Sequence, residues 1–169
     1  MATVDRAALT VRLVEPADAE ALRDIYNREV EGSTVTFDMV PRTLSEQAAW
    51  IDEHSGSYPA LVAVADGAVV GYASLSPYRP RPAYATTVES SVYVHHAARG
   101  LGVGATLMEA IVESAAAHGF HSIIARIVGD HEASIALHAK VGFEVIGREH
   151  EVGRKFGRWL DVVIMQRML

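Results

Sequence analysis

Cysteine is absent from this 169-residue chain. Disulfides, thiolate metal sites and a cysteine nucleophile are therefore excluded. Basic runs are also lacking: no stretch of Lys or Arg exceeds a pair, and the formal net charge is −6. A nucleic-acid partner normally leaves a basic footprint, so none is expected. No uninterrupted apolar stretch is long enough to cross a bilayer, so no membrane partner is expected either. Met1 to Arg6 lack the cationic-then-apolar order of a secretory leader. The expectation is a soluble cytoplasmic protein. Eight histidines raise the question of a metal. His95 and His96 point to opposite faces if their strand continues, and the others lack ligand spacing, so no metal is expected.

What is present is ordinary for a globular protein: 50% of residues are hydrophobic and 21% charged. A chain of this length buries about 70% of its unfolded surface as one domain. No repeat, low-complexity tract or linker divides it, so a single domain over 1–169 is expected.

Hydrophobic periodicity and turn residues predict mixed strands and helices. Leu9 to Val14 reads as a strand, and Pro16 to about Glu31 as a helix with Leu22, Ile25, Tyr26 and Val30 near one face. Thr43-Leu44-Ser45-Glu46 has capping-box form and starts a helix running to about His54. Ala60 to Ala65 and Ala68 to Leu75 are strands joined at Asp66-Gly67. Ser76 to Ala83, with prolines at 77, 80 and 82, reads as a loop. Thr86 to His95 is the next strand, and Ala105 to His118 a helix with Leu107, Ile111 and Val112 inward. Ser122 to Val128 is a strand and Glu132 to Lys140 a short helix ended by Gly142-Phe143. Two strands remain, roughly Val145 to Val152 and Trp159 to Met168. This order predicts an α/β sandwich.

The most informative stretch is Arg99-Gly100-Leu101-Gly102-Val103-Gly104, between a strand and a helix. Glycines there bare successive backbone N–H groups at a helix N-terminus, which favours phosphate. A Walker-type loop would end in Gly-Lys-Ser/Thr, but Ala105-Thr106 follows Gly104. Gly100-x-Gly102-x-x-Ala105 matches a dinucleotide fingerprint loosely. It comes late in the chain, however, and no acidic residue lies between Ser114 and Gly129. The third reading, Arg/Gln-x-x-Gly-x-Gly/Ala filled by Arg99, Gly102 and Gly104, resembles the pyrophosphate loop of the GCN5-related N-acetyltransferases (GNAT). The plain alternative is a strand-to-helix turn whose glycines serve backbone geometry alone.

Four further segments carry that resemblance over nearly the whole chain. They are Asn27 with Ser33-Thr34-Val35-Thr36-Phe37; Val88-Glu89-Ser90-Ser91-Val92-Tyr93-Val94; Glu132-Ala133-Ser134-Ile135-Ala136-Leu137-His138; and Gly153-Arg-Lys-Phe-Gly157-Arg-Trp159-Leu-Asp161-Val. Together they resemble the phosphinothricin and methionine-sulfoximine acetyltransferase group. The resemblance implies a GNAT fold: a mixed, mostly antiparallel seven-stranded sheet, splayed in the middle and flanked by about four helices. It implies acetyl-coenzyme A as co-substrate, a small-molecule amine as acceptor, and a homodimer.

The resemblance also assigns roles. Val92, Tyr93 and Val94 are expected to pair with the pantetheine arm and polarise the thioester carbonyl. Glu89 is expected to be the general base, directly or through water, its alternative being a surface glutamate. His138 stands where many relatives carry tyrosine and this group histidine. It is expected to donate to the thiolate or take the amine proton, its alternative being a structural histidine. Relatives carry asparagine three residues before the position of Ser134, on the pantetheine chain. Here that position is His131, and Asn27 is the only asparagine. His131 and Ser134 are expected to contact coenzyme A, the alternative for His131 being an exposed helix cap.

Members of the resembled group acetylate the α-amino group of amino-acid analogues with a phosphinate, sulfoximine or sulfone. Arg79 and Arg81 suit the carboxylate of such a zwitterion, because guanidinium pairs with carboxylate in a two-pronged way. Lys155 with Arg154, near Phe156, is a second candidate, on the same chain or from across a dimer contact. Phe37, Tyr78, Val88, Glu89 and Ser90 are expected to line the rest of the substrate pocket. Two competing functions stay open: acetylation of another amine (a polyamine or a protein N-terminus), and acyl-coenzyme A sensing without turnover. Arginines rather than carboxylates in the substrate loop disfavour a polyamine. Glu89 and His138 disfavour a mere sensor.

Overall fold

The computed structural model describes residues 9–169. The first six residues, on which the leader reading rests, lie outside that range. Seven strands form one sheet: β1 (Thr10–Leu13), β2 (Ala60–Ala65), β3 (Ala68–Pro77), β4 (Thr87–Val94), β5 (Ser122–Val128), β6 (Glu144–Lys155) and β7 (Arg158–Met168). Their spatial order is β1-β2-β3-β4-β5-β7-β6. Every neighbouring pair is antiparallel except β4 and β5, which run parallel. A parallel pair needs a crossover connection. Helix α3 (Val103–Ala117) supplies it.

Two cores lie on opposite faces of the sheet. On one face Leu107, Met108 and Ile111 of α3 pack, wholly buried, against Ala73, Leu75, Val88 and Ile123. Each such large side chain stabilises the fold by about 1.5–3 kcal/mol relative to exposure. On the other face α1 (Ala19–Gly32) and α2 (Leu44–Glu53) bury Leu22, Ile25, Tyr26, Val30 and Ile51 against Val62 and Tyr72. Alternation along β4 divides its side chains accordingly. Val88 belongs to the α3 core, whereas Tyr93 packs between Tyr26 and Tyr72 on the other face.

Most of the expected elements are present, and the differences have local causes. Helix α1 is preceded by a 3-10 turn, Pro16–Asp18, whose Asp18 is buried and gripped by both Nη atoms of Arg12 at 2.7 and 2.8 Å. Strand β3 runs two residues past Leu75, because Ser76 and Pro77 still find partners in Glu89 and Val88. Proline is tolerated there because, two residues on from the Leu75 N–H that donates to Pro59, its nitrogen faces the β2 side, where β2 has already ended. Strand β6 is longer than expected at both ends. Its alternation is broken by shifts between Val145 and Gly147 and between Glu149 and Gly153, with Glu151 at φ +50°. Helix α4 (Glu132–Lys140) has the expected limits. Helix α3 begins at Val103, two residues before Ala105.

The capping box at α2 is fully formed. Thr43 Oγ1 accepts the Glu46 N–H at 3.2 Å, and Glu46 Oε2 accepts the Thr43 N–H at 2.7 Å. Replacing Thr43 with alanine leaves the Glu46 amide without its cap. Thr43→Ala is expected to cost about 1 kcal/mol in urea unfolding, with the slope of the transition unchanged.

Candidate active site

The site begins where β4 and β5 part. Their parallel register covers only Thr87↔Ser122 to Ser90↔Ala125, although β4 continues to Val94 and β5 to Val128. The His95 N–H reaches across to the Val70 carbonyl at 2.9 Å, so by alternation the Tyr93 N–H also faces β3. Val92 and Val94 therefore turn their N–H groups into the gap. Here one expectation is corrected: Tyr93 cannot offer its amide to a ligand in the gap, and its side chain lies in the tyrosine cluster on the other face. Ser90, the last paired residue, is buried, and its Oγ has no hydrogen-bond partner.

A cleft of about 640 Å³ opens from this gap, lined by β4 from Ser90 to Val94, the glycine turn, β5 from Ala125 and one side of α4. Gly100 and Gly102 adopt φ +77° and +85°, a left-handed conformation that side chains disfavour, and Gly102 caps α3. The Thr106 N–H donates to the Gly102 carbonyl at 3.1 Å, so the Val103, Gly104 and Ala105 amides precede the helical ladder. No acidic residue occupies that first turn. The helix therefore presents its partial positive charge and its free donors to the cleft. Leu101 sits half-buried in the turn.

Arg99 is tied down at both ends of its guanidinium. Its Nε donates to the Val94 carbonyl at 3.3 Å, and Nη2 pairs with the buried Glu29 of α1. Sequence reasoning missed Glu29. The signal was present: a carboxylate at a core-facing position, between Tyr26 and Val30 on the same helix face.

Helix α4 supplies the opposite wall. His131 is its N-cap, with Nδ1 accepting the Ser134 N–H at 3.4 Å. With Nδ1 as an acceptor beside the shorter bond from the same N–H to the His131 carbonyl at 3.1 Å, the neutral ring carries its hydrogen on Nε2. Burial, with Arg99 nearby, lowers the His131 pKa and keeps the ring neutral. His131 is thus a cap, but a half-buried one lining the cleft, rather than an exposed one. His138 is buried, donates Nδ1–H to the Ser134 carbonyl at 2.8 Å, and stands edge-on to Phe143. Burial lowers its pKa, outweighing the raising effect of that hydrogen bond. At neutral pH His138 holds a lone pair on Nε2 and is an acceptor.

Glu89 lies on the Tyr93 face of β4, half-buried, opposite Ser76 of β3 and Ile124 of β5. Burial raises its pKa above the usual glutamate range; Arg126 and Arg79 counteract this, and Glu149 reinforces it. Arg79 lies over the rings of Tyr78 and Tyr84, at 5.1 and 5.8 Å. Arg81 is exposed at the start of the adjoining 3-10 turn, Pro82–Tyr84. Val88 corrects a second expectation: its side chain is wholly buried under α3, because its register is opposite to that of Glu89.

The Ser33–Phe37 and Gly153–Asp161 segments form one unit. Phe156-Gly157 is the turn of the β6–β7 hairpin, with φ +50° and +73°. Lys155, beside it, is buried and donates Nζ–H to the Thr36 carbonyl at 2.9 Å. Burial lowers its pKa. This is a third correction: Lys155 holds the α1–α2 loop and is withdrawn from solvent, which removes it as a free cation for a carboxylate. Phe37 is partly exposed and lies flat on Gly153, where a Cβ would overlap its ring. The same loop places Thr36 and Asp38 on the Tyr26 hydroxyl, at 2.9 and 2.5 Å. Among the described residues no group of three or more metal-binding side chains is found.

A splayed parallel pair, a bare helix N-terminus over it and a half-buried carboxylate beside it also mark a known family. Residues 11–164 match the acetyltransferase (GNAT) domain. The chain belongs to the GNAT acetyltransferases. This acetyltransferase is 42% identical to the L-methionine sulfoximine/L-methionine sulfone acetyltransferase of Pseudomonas aeruginosa, over 93% of this chain and 92% of the relative. It is 41% identical to the phosphinothricin N-acetyltransferase of Streptomyces coelicolor, over 96% and 98% of the two chains. Its fold superposes on a putative acetyltransferase of Salmonella typhimurium, solved with its cofactor acetyl-coenzyme A. The TM-score is 0.93 at 37% identity, covering 96% of this chain and 94% of that one.

The contact between the hairpin and the loop is testable. Gly153→Ala drives a methyl into the outer edge of the exposed Phe37 ring, which must turn off its rotamer, and is expected to destabilise the enzyme by about 0.5–1.5 kcal/mol in urea unfolding. Adding Phe37→Ala removes the clash. The double variant is therefore expected to be more stable than the sum of the two single losses.

Proposed function

We propose that this acetyltransferase moves the acetyl group of acetyl-coenzyme A to the α-amino group of a small amino-acid-like substrate. The substrate is of the phosphinothricin, methionine sulfoximine or methionine sulfone type, and its amine attacks the thioester directly within a ternary complex. The carrying observation is the juxtaposition on β4: amides of Val92 and Val94 turned into the gap, and Glu89 on the adjoining face of the same strand. The relatives' substrates support the acceptor class. The lack of cysteine leaves no thiol for an acyl-enzyme.

The residues lining the cleft fit acetyl-coenzyme A. The Val103, Gly104 and Ala105 amides suit its diphosphate, and Arg99 adds a cation beside them. The Val92 and Val94 amides, the unpartnered Ser90 hydroxyl and His131 Nε2–H suit the amides and carbonyls of a pantetheine arm. When bound, the co-substrate supplies a thioester, whose carbonyl carbon is open to an amine.

Glu89 receives a proton from the substrate ammonium, directly or through one water. Its raised pKa brings its basicity toward the working pH, which favours general-base catalysis. The strand amides donate to the oxygen on which charge develops. His138, neutral with a lone pair on Nε2, starts as an acceptor rather than an acid: it takes the second proton of the attacking amine and passes it to the departing thiolate. Arg79 and Arg81 come from the loop beside Glu89 and offer cations to the anionic groups of the substrate, its carboxylate among them. Phe37 and Tyr78 wall the pocket.

The working unit in this reading is a cytoplasmic homodimer, where acetyl-coenzyme A is at hand. Large apolar side chains exposed on the β6–β7 hairpin support the dimer, among them Val145, Ile146, Val152, Phe156 and Trp159. Sedimentation velocity is expected to give twice the 18.3 kDa chain mass.

Thiol release from acetyl-coenzyme A tests the reaction. Methionine sulfone, methionine sulfoximine and phosphinothricin are expected to be acetylated well ahead of spermidine or a peptide; the reverse order overturns the substrate class. Glu89→Gln is expected to lower kcat about 10²–10⁴-fold with little change in acetyl-coenzyme A affinity. A carboxyl raised above the usual range loses its base form at a higher pH on acidification. The acid limb of kcat/KM is thus expected above the ordinary glutamate range in the wild type and absent in Glu89→Gln. Near-normal turnover of the variant removes Glu89 from the mechanism.

A further inference from the structure

Strand β5 reads Ser-Ile-Ile-Ala-Arg-Ile-Val, with one cation in an otherwise apolar run. That cation, Arg126, is the first residue of β5 beyond its pairing with β4, which ends at Ser90↔Ala125. Ile124 is in register with Glu89, so Arg126, two residues on, projects from the Glu89 face. It also lines the cleft at the gap. Arg126 therefore stands where the two halves of the site meet.

Its guanidinium already holds a carboxylate in two-pronged fashion. Nη1 donates to Glu149 Oε1 at 3.3 Å, and Nη2 makes a closer bond to Oε2. The Arg126 and Glu149 side chains are 32% and 34% exposed, so water reaches both. An ion pair of that exposure contributes little to stability and is readily exchanged for another anion. Planar guanidinium fits any carboxylate or phosphinate with the same geometry. Glu149 comes from β6 just before the bulge at Glu151, so the fold aims it at Arg126 without burying it. The other charges around the site are Glu89 itself, Arg79 over Tyr78 and Tyr84 with Arg81 in the same loop, and, along the cleft, the paired Glu29 and Arg99 and Lys140 of α4.

We propose that Arg126 is a specificity-determining residue: its fork receives an oxyanion of the amino-acid substrate while the substrate ammonium faces Glu89, and Glu149 holds the fork until then. This rests on the amino-acid reading of the acceptor given above and adds a receptor for it. The anion has two possible sources, the α-carboxylate or an anionic tail, and both bind the fork through paired oxygens.

Steady-state kinetics on three acceptors distinguish them: methionine sulfone, its α-carboxamide, and phosphinothricin, each with wild type, Arg126→Gln, Arg126→Lys and Glu149→Gln. Arg126→Gln is expected to raise KM for the anion it serves about 10- to 100-fold, the loss of a charge-assisted pair. A rise for methionine sulfone but not its carboxamide assigns the α-carboxylate; a rise for phosphinothricin alone assigns the tail. Arg126→Lys keeps the charge without the fork, and is expected to give an intermediate KM. Glu149→Gln frees the fork and is expected to lower KM for the same acceptor. Equal shifts for all three acceptors, no shift, a fall in kcat alone, or a raised KM in Glu149→Gln overturns the proposal. Wild type that acetylates none of the three overturns the acceptor reading along with it. Active wild type with an unaffected Arg126→Gln overturns only the role of Arg126.

Discussion

Two adjacent strands that stop pairing halfway along their length leave backbone groups which the sheet itself does not satisfy. Buried amides without partners are costly, so such a gap persists only where the surrounding packing holds it open. Here β4 and β5 are paired at one end by four register positions and held apart at the other. Helix α3 connects them and is anchored by Leu107, Met108 and Ile111 in the larger core. Because the crossover leaves the carboxyl end of β4, the N-terminus of α3 comes to lie at the same end as the gap. Donors from a strand edge and donors from a helix end thus converge on one cleft.

The two faces of β4 carry different tasks, and alternation keeps them apart. Side chains on the α3 face, Val88 above all, belong to packing and fix the strand in place. Side chains on the other face, from Tyr93 to Glu89, border a polar site built by loops and by the β6–β7 hairpin. That hairpin is positioned by polar contacts as much as by apolar ones. Asp161 accepts the Glu151 amide at 2.9 Å and the Arg148 guanidinium at 3.1 Å, which holds the bulge. Lys155 closes the hairpin on the Thr36 carbonyl. The ionic contacts at the cleft, Glu29 with Arg99 and Glu149 with Arg126, link helix to turn and strand to strand.

Local chemistry made much of this legible beforehand. The capping box at Thr43, the Asp66-Gly67 turn and Gly142 after α4 each state a backbone conformation in the residue itself, and the elements they bound lie where expected. Periodicity failed where alternation is interrupted: in β6, the bulge around Glu151 disguises one long strand as a shorter one. It also failed at Ser76 and Pro77, whose strand conformation is set by partners in β4 rather than by their own propensity.

For the site, the chain alone determined which residue types and turns are available: a glycine turn before a helix, a carboxylate on a strand, histidines on the helix opposite. These are local facts, because φ angles, helix ends and strand alternation depend on neighbours in sequence. Tertiary structure decided what each group faces. It turned the Tyr93 amide to β3, buried Val88 and Lys155, and set Glu29 and Arg126 beside residues 70 and 23 positions away in sequence. No spacing rule encodes those partners. They follow from the sheet order and from the face that each strand presents.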